Sequence, residues 1–213
     1  MLIRNSSPIV FFLFLNLVTI SVAGQQQVDL DQAEIDNPDL FTGGFIRTGV
    51  GFTRSNFTYG TTFDGIVLNP LYISMDFGKR MNRNFGAYFS IDGNVLIKEK
   101  SLGFDEIKQW AHAALHVGGL FYFRGNSYFA PEIGLDILTF EYTEYQVAGT
   151  PNPYCLGLGS TLKYGYDRHI TGKVFVGGQF FISYGYTWET DTSVPANATS
   201  FLYGAALNLK FGN

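Results

Sequence analysis

Residues 174–188 read VFVGGQFFISYGYTW. Val174, Val176, Phe180, Ile182, Tyr184, Tyr186 and Trp188 alternate there with Phe175, Gly177, Gln179, Phe181, Ser183 and Gly185. Apolar residues at every second position belong to a β-strand with two different faces, whereas a helix would repeat them every three or four. Once this stretch is a strand, its neighbours fall into the same scheme. Towards the C-terminus, Phe201, Tyr203, Ala205, Leu207, Leu209 and Phe211 oppose Gly204, Ala206, Asn208 and Lys210. Towards the N-terminus, Leu156, Leu158, Leu162 and Tyr164 oppose Gly157, Gly159, Thr161 and Lys163, and Phe129, Ile133, Leu135 and Ile137 oppose Ala130, Glu132, Gly134 and Asp136.

The first half carries four more such runs. Ala113, Leu115, Val117, Gly119 and Phe121 face away from His112, Ala114, His116 and Gly118. Phe85, Ala87, Phe89, Ile91 and Val95 oppose Gly86, Tyr88, Ser90, Asp92 and Asn94, and Leu71, Ile73, Met75 and Phe77 oppose Tyr72, Ser74, Asp76 and Gly78. The earliest sets Ile46, Thr48, Val50 and Phe52 against Arg47, Gly49, Gly51 and Thr53. Pro131, which has no N–H, interrupts one ladder.

The eight runs are joined alternately by short polar turns, around Lys79–Asn84, Arg124–Asn126 and Asp167–Gly172, and by longer connections, Arg54–Pro70, Lys98–Gln109, Thr143–Pro153 and Glu189–Ala198. An even strand number, tight turns at one end and long loops at the other describe a transmembrane β-barrel. The fold class expected is therefore all-β, an eight-stranded antiparallel up-and-down barrel. A soluble barrel would turn its charged residues outward, but here the second face is mostly Gly, Ala, Ser and Thr, which suit a narrow interior. Arg47, Asp76, Asp92, Glu132, Asp136 and Lys163 stand on that face as an expected lumen charge network, because ionised groups in a low-dielectric interior need partners. Lys173 and Lys210 fit either that network or the wet rims. Phe77, Phe85, Phe121, Phe123, Tyr128, Phe129, Tyr164 and Tyr166 border the short turns, and Tyr142, Tyr154, Tyr184, Tyr186 and Trp188 the long loops, as two aromatic girdles.

Outside the barrel, Arg4 precedes an apolar run from Ile9 to Ile20 followed by Ser21 and Ala23, which reads as a signal peptide over residues 1–23. The run is short for a membrane-spanning helix. Residues 24–40 form an acidic tail containing QQQVDLDQAEIDNPDL, exposed and without strand character, and residues 41–213 the barrel. With 15% charged and 17% aromatic residues and a net charge of −4, nucleic acid is not an expected partner. The single Cys155 excludes an internal disulfide framework.

The segments FAPEIGLDI (Phe129–Ile137) and YCLGLGSTLKYGY (Tyr154–Tyr166) resemble strands of the small bacterial outer-membrane β-barrels of the OmpA/OmpX-like group. The resemblance implies an eight-stranded barrel in the outer membrane, in contact with outer-membrane lipid and delivered by the barrel-assembly machinery. Members commonly end on an aromatic residue, whereas this chain ends Phe211-Gly212-Asn213. Barrels of this kind serve as adhesins, anchors, narrow pores and enzymes, so the fold does not name the function.

Three histidines invite a catalytic reading. On one strand His112 and His116 share a face but lie ~13 Å apart at ~3.3 Å per residue, too far to hold one metal or one substrate atom. On a helix they would be neighbours, and FDEIKQWAHAAL (Phe104–Leu115) has helix-friendly composition, which makes a short helical loop the rival reading. Hydrogen-bonded lumen histidines are expected, with His169 solvated in a turn. The sequons at Asn56 and Asn197 are expected in long loops. No catalytic, cofactor or metal residues are assigned. The function expected is a non-enzymatic surface barrel with a side-chain-filled lumen, whose loops Arg54–Pro70 and Thr143–Pro153 meet an extracellular partner. Beside it stand a narrow pore or a barrel for a small apolar solute, a lipid-modifying enzyme, and, with the faces inverted, a secreted lipocalin-like carrier.

Overall fold

In the computed structural model, residues 42–60, 63–97, 107–123, 126–142, 154–189 and 197–212 are described. The signal-peptide and tail readings and the Thr143–Pro153 loop lie outside these residues. Every element among them is a strand: β1 (Gly43–Tyr59), β2 (Phe63–Leu68), β3 (Leu71–Arg80), β4 (Phe85–Ile97), β5 (Ile107–Phe123), β6 (Ser127–Tyr142), β7 (Tyr154–Thr171), β8 (Val174–Glu189) and β9 (Asn197–Gly212). All pairings are antiparallel: β1 pairs with both β2 and β3, each strand from β3 onward pairs with the next, and β1 pairs with β9 to close the sheet. Because β2 and β3 both pair with β1 and are separated by Asn69 and Pro70 alone, they make one barrel strand with a proline break. The barrel thus has eight strands.

Alternation sorts the side chains as the sequence pattern requires. Phe52 and Leu207 are 79% and 72% exposed, and Val50, Ile73, Val117, Ile133, Leu158 and Ile182 share this outer surface. Arg47, Asp76, His116 and Lys163 are buried inside. A closed sheet with an apolar outside and a polar inside is stable where the outside meets hydrocarbon, because all backbone groups are then paired within the barrel. The inverted, lipocalin-like arrangement is excluded. The exposed aromatics Phe77, Phe121, Phe123, Phe129 and Tyr164 border the short turns, and Tyr154, Tyr184, Tyr186 and Trp188 the opposite end. Tyr128 departs from the expected girdle: it is fully buried in the lumen, since it shares the parity of Ala130 and Glu132.

Two connections also differ from expectation. Arg54–Pro70 is not a long loop but a hairpin extension, in which Ser55, Phe57 and Tyr59 point in while Arg54 and Asn56 point out. Both sequons consequently lie on strands, with Thr58 opposite Thr199 and their hydroxyls hydrogen-bonded. Asp167–Gly172 is mostly strand as well. The tight turn there is Gly172-Lys173, where Gly172 has φ 52°, in the left-handed region that favours glycine. The helical alternative for Phe104–Leu115 fails from Ile107 onward, where the chain is strand β5.

Candidate functional site: the filled lumen

Three layers of side chains fill the barrel along its axis. At the long-loop end the interior is apolar. Phe57, Tyr59, Leu68, Trp110, Leu138, Phe140, Cys155, Ala198 and Leu202 form one buried cluster, with Phe57 packed edge-on against Phe140 at 5.1 Å and Trp110 at 6.4 Å between ring centroids. Their outward neighbours Arg54, Asn56, Gln109 and Asn197 are polar and exposed. The polarity of the two faces is therefore reversed relative to the middle of the barrel. That reversal marks where the strands leave the apolar belt: outside meets water and inside becomes an ordinary hydrophobic core.

The middle layer is a hydrogen-bonded chain of ionisable groups. Lys163 on β7 places its Nζ 2.7 Å from Glu132 Oε1, 3.1 Å from Asp92 Oδ2 and 3.4 Å from Asp76 Oδ1, and donates to Ser90 Oγ at 3.0 Å. Ser90 donates to Asp76 at 2.7 Å, Tyr72 to Asp92 at 2.8 Å, and the Tyr88 hydroxyl to Glu132. On the other side of Glu132, His116 Nδ1 lies 3.4 Å from Oε2, while its Nε2 lies 2.9 Å from Asp136 Oδ1. The second oxygen of Asp136 meets His112 Nε2 at 3.0 Å. His112 Nδ1 faces the Asn94 amide at 3.4 Å, and Asn94 accepts from Thr53 at 2.8 Å. His116 has a carboxylate at each ring nitrogen, so both contacts are hydrogen bonds only when both nitrogens carry protons.

At the short-turn end, Arg47 joins the chain. Its Nη1 lies 3.4 Å from Asp76 and its Nη2 2.7 Å from Asp167, and the guanidinium sits 4.3 Å from the Tyr128 ring centroid. Around it, Arg80 stacks on Tyr122 at 3.8 Å and Lys210 on Phe175 at 4.6 Å. Cation–π contacts of this kind let a buried charge face aromatic surface.

All six residues expected in the charge network, Arg47, Asp76, Asp92, Glu132, Asp136 and Lys163, are buried and connected. Their two cations face four carboxylates, and Lys173 and Lys210 do not restore the balance. Lys173 is exposed at its turn, and Lys210, although buried, packs on rings instead of carboxylates among the described residues. Imidazoles and hydroxyls complete the network: His112, His116, Tyr72, Tyr88 and Ser90. Asp167 was expected in a turn, yet its carboxylate is the shortest partner of Arg47. Its parity with Gly165 and Lys163 was the available signal. His112 and His116 do not share one atom, as their spacing demands, but they share one carboxylate through its two oxygens. The third histidine, His169, meets the Gly172 carbonyl at 2.8 Å.

Asp92, His116 and Glu132 bring one ligand atom each to within 4.8 Å of one another. The Lys163 ammonium bonds to Asp92 and Glu132, so the protein supplies its own cation at this point. Two glycines shape the other half of the network. A Cβ on Gly159 or Gly185 would strike the Asp136 carboxylate, so small residues on β7 and β8 let that group stand between the histidines.

No family model matches the chain, and no curated protein matches it. Solved structures do. Neisserial surface protein A (NspA) is 10% identical, with a TM-score of 0.54 over 79% of this chain and 97% of that one. The attachment invasion locus protein Ail of Yersinia pestis is 13% identical, with a TM-score of 0.47 over 78% and 98% of the two chains. The outer membrane protein OprG from Pseudomonas aeruginosa is likewise 13% identical, with a TM-score of 0.47 over 80% and 97%. The likeness to NspA is one of fold, the eight-stranded barrel.

Proposed function

We propose that the protein is a sealed outer-membrane barrel of a Gram-negative cell, exported by a cleaved signal peptide, which carries its loops at the cell surface as a structural or adhesive module and is not an enzyme. The observation that supports this reading is the continuous filling of the lumen. An apolar plug, a charge network and a cation–aromatic layer follow one another with buried side chains from Phe140 to Lys210, and eight strands enclose an interior just wide enough for side chains to fill. Ions crossing it would have to displace the Lys163 and Arg47 pairs. His112 and His116 are bonded to carboxylates within the barrel, so they act as structural donors there. The long connections are the parts that reach a partner.

Reconstitution into planar bilayers tests the seal. The expected result is a baseline without steps at either polarity, and a steady, reproducible single-channel current would overturn it. Surface display in a cell lacking adhesins, followed by binding to host extracellular matrix, tests the adhesive role, and equal binding by cells with and without the protein would count against it.

A second reading has one specific observation in its favour. Within the apolar plug, Trp110 Nε1 and Ser55 Oγ have no hydrogen-bond partner among the described residues, and buried donors of this kind are normally satisfied. A small apolar solute carrying one acceptor would satisfy Trp110. Quenching of Trp110 fluorescence by such a solute, absent after Trp110→Phe with Trp188 retained, would support it.

A further inference from the structure

We propose that the short-turn end of the lumen is a binding site for hydrogen phosphate. Only the barrel and its last interior layer are required, not the surface role above. Five buried side-chain atoms of this layer have no hydrogen-bond partner among the described residues: Arg47 Nε, Tyr122 Oη, Asn126 Nδ2 and Oδ1, and Asp167 Oδ1. All four residues are at most 5% exposed, and buried polar groups are normally paired. The fold brings them together. Asn126, the residue before β6, faces Asp167 of β7, whose amide donates to the Asn126 carbonyl at 3.1 Å. Arg47 holds the other oxygen of Asp167 at 2.7 Å and lies opposite Lys210 in the β1–β9 register. The Lys210 ammonium is 5.2 Å from the Phe45 ring centroid and 5.8 Å from that of Tyr122, and the Arg47 guanidinium is 5.5 Å from Phe45. Asp167 Oδ1 stands close to Gly177 on β8, where an added Cβ would come within 2.9 Å of it. Two residues from Gly177 is Phe175, the residue opposite Lys210.

Charge selects an anion. Lys210 packs on rings and meets no carboxylate among the described residues, while Asp167 is already matched by Arg47. Arg80 takes no part, since it donates to the Asn82 and Arg83 carbonyls. Arg47 Nε, Tyr122 Oη, Asn126 Nδ2 and Lys210 Nζ are donors, and donors on charged groups bind oxyanions strongly. Asp167 Oδ1 and Asn126 Oδ1 only accept, so the ligand must also carry a proton to donate. Hydrogen phosphate keeps at least one O–H near neutral pH and answers both halves of the layer. Sulfate and the phosphodiesters of lipid headgroups have none to offer. Tight turns lie on the periplasmic side of outer-membrane barrels, so the phosphate enters from the periplasm.

The test is calorimetric titration of the refolded protein in dodecylmaltoside, a detergent without phosphorus, with inorganic phosphate, sulfate and dimethyl phosphate near neutral pH. Saturable binding of phosphate alone is expected. Lys210→Met should weaken it about tenfold or more, as for a lost hydrogen bond to a charged group, and Asn126→Ala should weaken it too. Asp167→Asn is expected to admit sulfate, because an amide can turn a donor where the carboxylate only accepts. Heat-modifiable migration shows that each variant is folded, and Asn126→Ala carries the test if Lys210→Met does not fold. Absence of phosphate binding to the wild type would overturn the proposal and leave the unpartnered atoms to water. Equal binding of sulfate or dimethyl phosphate by the wild type would overturn it as well, because the layer would then read charge alone. So would phosphate binding that is unchanged in both Lys210→Met and Asn126→Ala, which would place the ion elsewhere.

Discussion

Lys163 and Glu132, from β7 and β6, meet with Nζ 2.7 Å from Oε1 in the centre of the lumen, both buried. The same ammonium also touches Asp92 and Asp76. Removing one partner of a buried pair leaves an uncompensated charge and costs ~3–5 kcal/mol. Lys163→Met is therefore expected to lower the urea midpoint of the refolded barrel strongly, with Lys163→Met/Glu132→Gln recovering part of the loss. If the single variant unfolds like the wild type, the network does not hold the barrel together.

Lys163 also bonds to two of the three groups, Asp92, His116 and Glu132, that could together hold a cation. With Lys163→Met, added Zn²⁺ is expected to raise the unfolding midpoint, because a divalent ion binds the folded state selectively. Wild-type protein should show no such response. Titration of Zn²⁺ against both proteins by thermal unfolding checks this.

Asp136 accepts from both His112 and His116 only because Gly159 and Gly185 leave its carboxylate room. Gly159→Ala is expected to displace the carboxylate and cost on the order of 1–3 kcal/mol for buried groups left unpaired. Imidazole nitrogen chemical shifts should report the change at both rings, whereas a mutation that merely loosens the sheet would leave them in place.

The reversal of polarity at the loop end predicts different tolerance along one wall. Leu207 is 72% exposed in the apolar belt, and Leu207→Arg should cost ~2–4 kcal/mol, as for a charge near the bilayer midplane. Asn56 points outward beyond the belt, and Asn56→Arg should be close to neutral. Heat-modifiable migration on gels, compared for the two variants, measures the difference. Equal effects would mean that the belt has been placed wrongly along the strands.

Beneath that reversal, Trp110 fills the apolar plug. Trp110→Ala is expected to cost ~3–5 kcal/mol through the cavity it leaves, while the bilayer current stays at baseline because the Lys163 layer still blocks the lumen. A conductance appearing in this variant alone would make the plug, not the charge network, the seal.

The alternation in residues 174–188 and its seven counterparts was enough to define the strands, their number and the membrane-facing side, because side-chain direction in a strand is a local property with period two. It also assigned Arg47, Asp76, Asp92, Glu132, Asp136 and Lys163 to one interior. Local pattern misled where the environment changed along a strand. Arg54–Tyr59 read as loop because its outward residues are polar, although its inward ones, Ser55, Phe57 and Tyr59, continue the alternation above the belt. What the pattern could not supply is which interior groups meet. Arg47 finds Asp167 across 120 residues of sequence, and Lys163 finds Asp76 across 87. Those pairs depend on how the strands are staggered when β1 closes on β9, and the stagger is fixed by the joint pairing of all eight strands, which no single strand encodes.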